Sequence, residues 1–161
     1  MSHQSSAALL ALHAVRVTGM ASTERAAARY GLPRAETHEL LEDDRARGYV
    51  RRVEFVDLAG RTLTESGRIE DERRLAAELG QTGARPVVQA GADDFVGLNA
   101  RLLTAITDWQ LRPQPWDRLA ANDHTDHRWD DRVLRELTRI GELLAPVCDP
   151  LAAALSRFEG Y

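Results

Sequence analysis

The chain has 161 residues, 43% of them hydrophobic and 29% charged, which is typical of one globular domain or two small ones. No apolar run reaches the roughly 18 residues that a membrane-spanning helix needs, and the N-terminal apolar stretch lacks the basic segment of a signal peptide. Its single cysteine, Cys148, cannot form an internal disulfide, so a cytoplasmic location is expected. The formal charge is −4, and residues 1–80 contain 12 arginines and 13 acidic residues, so the chain is not strongly basic.

Three helices are predicted near the N-terminus, at residues 7–18, 24–30 and 33–47. Gly31 suits the left-handed position that ends a helix, and Pro33 suits the first turn of the next one. The second and third helices therefore meet at a tight Gly-Leu-Pro turn.

A β-hairpin and a fourth helix are predicted next. A strand is expected to begin at Tyr49 and Val50, and apolar and polar residues alternate from residue 52 to residue 55, as is typical of strands. The residues 58–61 (Leu-Ala-Gly-Arg) are predicted to form the tip, and the chain returns through 62–63. Thr64 is a good cap for a helix over 65–79.

The second half is predicted to be a helical hairpin. Residues 80–91 contain three glycines and a proline, so we expect them to connect the two halves. One helix is predicted over 93–111 and another from Trp129 onward, because apolar residues recur every three or four positions in both. Pro146 is expected to kink or end the second of these helices, and Pro150 to open a last helix that runs to Phe158.

The first half resembles a known family of regulators. The residues that carry the resemblance are GLPRAETHELLEDDRARGYVRR, the turn LAGR and the segment LTESGR. In this order they resemble bacterial winged helix-turn-helix transcription regulators of the MarR-like kind, over about residues 7–79. In that family a leucine-threonine-x-x-glycine element opens the helix after the wing, and residues 63–67 match it.

The resemblance implies a DNA-binding function and a set of contact residues. The third helix would enter the major groove, and the wing would contact the backbone or the minor groove. Base contacts are expected from Arg34, Thr37 and His38, and contacts with phosphates or the minor groove from Arg51, Arg52 and Arg61. The exposed acids of the third helix, Glu36, Glu39 and Glu42, oppose insertion into DNA. A protein-interaction module that has lost DNA binding is therefore the alternative function.

The polar loop over 112–128 has three interpretations. In the first, side chains in the loop bind a metal ion; the candidate ligands are Asp123, His124, Asp126 and His127. In the second, the loop and its flanks bind a small-molecule effector. The candidate residues for that pocket are Trp109, Arg112, Trp116, His124 and Trp129. In the third, Asn122 or Asp126 caps the following helix and the tryptophans fill the core of the hairpin.

Taken together, the sequence predicts a mainly α protein: a winged helix-turn-helix domain over 1–80 with a two-stranded wing, then a helical hairpin domain over 81–161. A homodimer is expected through the second domain, because regulators of two-fold DNA sites are dimeric. The apolar residues available for that contact are Leu103, Leu134, Leu143, Leu151 and Leu155. The sequence contains no phosphate-binding glycine loop, His-Glu-x-x-His or Gly-x-Ser-x-Gly motif, so neither an enzyme nor a cofactor is expected.

Overall fold

A computed structural model of the chain describes residues 2–55 and 58–159, and these form two separate units. The first unit comprises residues up to 85 together with 155–159, and the second comprises 86–154. The described residues are mainly helical, with one two-stranded antiparallel sheet. Residues 155–159, expected in the second domain, pack with the first unit.

The first unit contains four helices and both strands. In chain order they are α1 (Ala7–Thr18), α2 (Thr23–Tyr30), α3 (Arg34–Ala46), β1 (Val50–Phe55), β2 (Leu58–Leu63) and α4 (Glu65–Thr82). The side chains of Ser22 and Thr64 each accept a hydrogen bond from the backbone N–H three residues later, as helix caps do. Gly31 takes the predicted left-handed conformation, with φ 64°, and ends α2. The start predicted for α4 from its cap Thr64 is confirmed.

The core of this unit lies where α1 crosses α3 and the hairpin. Its largest buried side chains are Leu12, Val15 and Leu41, and Val50 and Leu63 extend the core onto the two strands. A fully buried leucine contributes about 1.5–3 kcal/mol relative to an exposed one, so these contacts fix how α3 is held.

Helix α4 begins in direct contact with the turn that ends α3. Thr64 Oγ1 accepts from the Gly67 N–H over 3.0 Å and donates to the Gly48 carbonyl over 2.6 Å. Gly48 is in the left-handed region with φ 78°. A Cβ on Gly67 would overlap the carbonyl oxygen of Tyr49, so only glycine permits this approach. The leucine-threonine-x-x-glycine pattern thus has a packing reason in this chain.

One arginine joins three helices of the first unit. The Arg74 guanidinium donates to Asp44 over 2.9 Å, to Glu70 over 2.8 Å and to the Ala8 carbonyl over 2.8 Å. Asp44 is almost fully buried, and this burial raises its pKa above the ordinary value. Hydrogen bonds from Arg73 and Arg74 lower the pKa of Glu70 to about 2. Because one cation serves both carboxylates, α1, α3 and α4 are linked at one point.

The hairpin differs from the prediction at its tip. Strands β1 and β2 pair with Val50 opposite Leu63 and Arg52 opposite Arg61, so the tip predicted at 58–61 is wrong. The connection falls at 56–57, outside the described residues. Gly60 signals close packing and not a turn, because a Cβ there would lie 2.9 Å from the Met20 Cγ and 3.1 Å from the Ala21 oxygen.

The second unit is an antiparallel pair of long helices, α5 (Arg85–Gln110) and α6 (His127–Ala154). Arg101 bonds Glu136 over 2.7 Å and Arg132 bonds Asp108 over 3.2 Å, which sets the antiparallel register. The connection predicted over 80–91 is wrong. Helix α4 continues to Thr82, and only Gly83, with φ 68°, and Ala84 separate it from α5.

Helix α6 also continues through both of its prolines, so Pro146 does not end the helix and the new helix predicted at Pro150 is wrong. Beyond Pro146, Leu151 packs on Gly91 of α5, where an added Cβ would lie 3.1 Å from Leu151 Cδ2. This contact favours the helical path despite the two lost backbone donors. A single 3₁₀ turn, Ser156–Phe158, replaces the end of the predicted last helix.

The two helices of the second unit bury only part of their apolar surface in each other. Val133 and Ile140 of the predicted α6 stripe are buried, whereas much of the α5 stripe is exposed. The exposed large apolar side chains on the two helices are Phe95, Val96, Leu103, Ile106, Trp109, Leu134 and Leu143. Leu155 is fully buried in the first unit, where its backbone pairs with His3, so it is wrong as a dimer residue. Among the described residues, no helix is both long and apolar enough to cross a membrane.

Gly67→Ala is expected to lower the free energy of unfolding of the first unit by about 2–3 kcal/mol, because the new methyl group displaces the Tyr49 carbonyl. Gly80→Ala is the matched control on the same helix. Its Cβ would meet open space, so the change should raise stability by about 0.5–1 kcal/mol. Urea titration followed by far-ultraviolet circular dichroism measures both. Equal effects of the two substitutions would contradict the close approach at Gly67.

Candidate functional site

Helix α3 has one buried side and one that faces the hairpin. Thr37, Leu41 and Asp44, spaced by four and three residues, are buried against the unit. His38, Glu42 and Arg45 have the same spacing on another side. Arg52 of β1 and Arg61 of β2 both contact Glu42, so this second side faces the hairpin. The cluster formed by Glu42, Arg45, Arg52 and Arg61 is called the Glu42 cluster below.

A single carboxylate in this cluster binds three guanidinium groups. Glu42 Oε1 accepts from Arg61 over 2.6 Å and from Arg52 over 3.1 Å, and Glu42 Oε2 accepts from Arg45 over 2.8 Å. These hydrogen bonds, that from Arg61 first, lower the pKa of Glu42 from 4.5 to about 2. Glu42 is therefore ionised throughout the physiological range, and the cluster has a net charge of +2.

Arg61 differs from the other two arginines because it is buried. Its side chain is only 8% exposed, whereas the side chains of Arg45 and Arg52 are 49% and 64% exposed. Arg61 also donates to the Thr23 hydroxyl over 3.0 Å and thereby joins α2, α3 and β2. Its Nε is buried without a hydrogen-bond partner among the described residues. Arg61 thus supports the site from inside, and the two exposed arginines form its surface.

The two neighbouring arginines of β1 lie on opposite faces of the hairpin. Side chains alternate along a strand, so Arg52 shares a face with the buried Val50, and Arg51 points to the other side. Arg51 is exposed and lies opposite Thr62 in the strand register. Only Arg52 can act together with α3.

The first turn of α3 supplies two further exposed groups, Arg34 and His38. Arg34 forms an ion pair with Glu24 of α2, and both side chains are more than half exposed. Exposed pairs of this kind contribute little to stability, so Arg34 can leave its partner at small cost. A cleft of about 240 Å³ lies between the start of α2 and the hairpin, lined in part by Thr23, Arg52 and Arg61.

Two of the residues predicted to contact DNA are placed elsewhere. Thr37 has no exposed surface and its hydroxyl donates to the Pro33 carbonyl over 2.9 Å, so the predicted base contact is wrong. Arg61 is buried on Glu42, so its predicted phosphate contact is wrong as well. The sequence analysis did not include Arg45 among the contact residues and grouped Glu42 with the exposed acids that oppose DNA binding. The three-residue spacing between Glu42 and Arg45 was the available signal for their ion pair.

The loop between α5 and α6 is held by Asn122, whose side chain is buried. The Asn122 amide donates to the Trp109 carbonyl over 3.1 Å and to Asp130 over 2.8 Å. His124 adopts a left-handed φ of 57°, and its ring lies against Trp109 with centroids 4.6 Å apart. Asp126 accepts from the backbone N–H groups that open α6, the first of them over 3.1 Å, as the structural interpretation of this loop predicts.

The residues predicted to bind an effector do not form one pocket. Trp116 is 83% exposed, so its predicted place in a pocket wall is wrong. Arg112 lies 3.6 Å from Asp123 and 3.5 Å from Asp126. Trp129 donates to the Asp108 carbonyl over 2.6 Å. A cleft of about 650 Å³ does exist along α5 and α6, but its lining includes none of the five. Within 2–55 and 58–159, no three histidine, cysteine or acidic side chains are placed to hold one metal ion.

Comparison with known proteins gives no further assignment: no family model, curated protein or solved structure matches the chain. The geometry of the first unit therefore carries the functional argument. Of the two candidate sites, the face formed by α3 and the hairpin is the one where exposed arginines lie beside a helix, and a helix is an element that fits the major groove of DNA.

Arg61→Gln is expected to raise the pKa of Glu42 from about 2 toward 4.5, because it removes the strongest hydrogen bond to that carboxylate. A pKa lowered by folding stabilises the folded state above pH 4.5 and loses this contribution as the pH falls toward 2. The variant should therefore lose part of the acid sensitivity of folding. Carbon-13 NMR titration of the Glu42 carboxyl measures the pKa, with Arg45→Gln as a control that should shift it less. A Glu42 pKa near 4.5 in the wild-type protein would contradict the cluster.

Proposed function

We propose that the first unit is a winged helix-turn-helix domain that binds double-stranded DNA, and that the protein is a transcription regulator. The observation that carries the proposal is the convergence of α3 and the β1–β2 hairpin around the Glu42 cluster, with Arg45 and Arg52 exposed. An α-helix fits the major groove, and a hairpin beside it reaches the neighbouring backbone.

The residues divide between two kinds of contact. Recognition helices contact bases mainly through their N-terminal residues, so Arg34 and His38 are the proposed base contacts. Arg45 and Arg52 are the proposed phosphate contacts, and Arg51 reaches the backbone on the other side of the hairpin. Arginine suits both tasks, because its planar fork binds guanine edges and phosphates in pairs of hydrogen bonds.

A specific observation favours the second candidate, a protein-interaction module. Glu36, Glu39 and Asp43 are exposed on α3, and carboxylates are repelled by DNA phosphates. They would suit a basic protein partner instead. The two functions predict opposite behaviour toward DNA, so one binding measurement separates them.

We further propose that two copies associate through the second unit. Seven large apolar side chains on α5 and α6 stay exposed, more than scattered surface residues require. Burying this surface against a second copy would give the two-fold symmetry that palindromic DNA sites need. An effector that acts on this unit stays a prediction.

Arg52→Ala is expected to weaken binding to every DNA sequence and to lower the slope of log affinity against log salt by about one. Arg51→Ala should have a similar effect through a separate contact. Fluorescence anisotropy with labelled genomic duplexes, from about 50 to 200 mM salt, measures both. Arg68→Ala removes the same charge from an exposed position on α4 and should leave the slope unchanged. No binding of the wild-type protein to any duplex at about 50 mM salt would refute the DNA-binding proposal.

Leu103→Asp combined with Leu134→Asp is expected to convert a dimer to a monomer, because two charges would be placed in the apolar contact. Both residues are half exposed in the single chain, at 57% and 48%, so folding of the monomer should survive. Sedimentation velocity measures the oligomeric state. Leu119→Asp is the control, since Leu119 is 75% exposed in the loop outside the two helices. A wild-type protein that sediments as a monomer would exclude this interface.

A further inference from the structure

We propose that Glu42 is an affinity-setting residue of the DNA-binding face: its carboxylate occupies the place of a DNA phosphate and holds Arg52 and Arg45 until DNA replaces it. The inference rests on the proposed DNA-binding function. It predicts that Glu42 weakens DNA binding, whereas the arginines on the same surface strengthen it. Removal of Glu42 should therefore strengthen binding to DNA.

The geometry of the Glu42 cluster supports this role. A carboxylate oxygen 3.1 Å from Arg52 and another 2.8 Å from Arg45 reproduce the contacts that phosphate oxygens make with guanidinium groups. Both arginines are about half exposed or more, so they can turn from Glu42 to a ligand in solvent. Glu42 itself is 25% exposed, and ion pairs made by exposed arginines are weak, which makes the exchange feasible.

Glu42 also stabilises the folded protein, because it is the partner of the buried Arg61. Its guanidinium is buried and lies 2.6 Å from Glu42, and a buried charge requires a partner. Glu42 thus neutralises the internal Arg61 and reduces the positive charge offered by the two exposed arginines. One acidic residue on the hairpin-facing side of α3 therefore supports the fold and limits sequence-independent affinity.

The expected size of the effect follows from the ion pairs that DNA must replace. In the wild type, DNA displaces the Glu42 carboxylate from Arg52 and Arg45, and each ion pair of an exposed arginine opposes binding by at most about fivefold. Glu42→Gln keeps an oxygen that can accept from Arg61 and removes the charge. It should bind a random-sequence duplex about fivefold more tightly than the wild type.

The matched control is Glu39→Gln, which removes the same charge from an exposed position of the same helix. Glu39 has no ion pair with a described residue. Either substitution can relieve simple repulsion, so the deciding measurement is a double-mutant cycle with Arg52→Ala. The gain from Glu42→Gln should fall to twofold or less in the Arg52→Ala background, whereas any gain from Glu39→Gln should be the same in both backgrounds.

Fluorescence anisotropy with a random-sequence duplex, on the full chain over a range of salt concentrations, gives the affinities. Thermal unfolding checks that each variant is folded. If Glu42→Gln does not fold, the carboxyl carbon-13 resonance of Glu42 in the wild-type protein replaces it. That resonance should shift on addition of duplex while that of Glu39 does not, and an unchanged Glu42 resonance overturns the inference.

The outcomes separate the inference from the proposed function. Equal gains from Glu42→Gln and Glu39→Gln, or a gain that persists without Arg52, would overturn the inference and leave DNA binding intact. Absence of DNA binding by the wild type and by every variant at about 50 mM salt would overturn both. Binding by Glu42→Gln but not by the wild type would also overturn the inference, because DNA would then not displace the carboxylate.

Discussion

The buried contact between Arg74 and Asp44 is the interaction on which the first unit depends. It ties α4 to α3, and the same guanidinium reaches the Ala8 carbonyl on α1, so three helices share one fixed point. Removal of one member of a buried pair typically costs about 3–5 kcal/mol, because the other charge is left without a partner. This contact sets the phase of α3, that is, its rotation about its own axis: because Asp44 points inward, Glu42 points toward the hairpin.

The proposed DNA-binding face is a consequence of that phase. Because Thr37 and Asp44 are buried, the side of α3 that carries Glu42 faces the hairpin, where Arg61 of β2 binds Glu42. Ion pairs have two roles in this unit: those in the interior fix the helices, and those at the surface hold the arginines in place. This explains how a chain of net negative charge can present a local cationic face.

The features predictable from the sequence are those set by neighbouring residues. The start of α4 follows from its cap Thr64, which acts within one turn. Features that depend on distant partners were missed: Gly60 looked like a turn because Met20 lies far from it in sequence, and Pro146 looked like a helix end because the contact of Leu151 with Gly91 is not local. Thr37 was misplaced for a similar reason, since the buried side of α3 carries a charged residue and breaks the apolar pattern.

The path of the chain has a consequence for how the protein folds. The chain leaves the first unit at Arg85 and rejoins it at Leu155, where Ser156 N–H donates to the His3 carbonyl over 2.9 Å and Arg157 bonds Glu78 over 2.8 Å. Closing so long a loop from a disordered chain costs roughly 4 kcal/mol of entropy. The α5–α6 hairpin brings the two ends of that loop together when Leu151 meets Gly91. Any structure already formed within 86–154 shortens this loop and so lowers the entropic cost of joining residues 155–159 to the rest of the first unit.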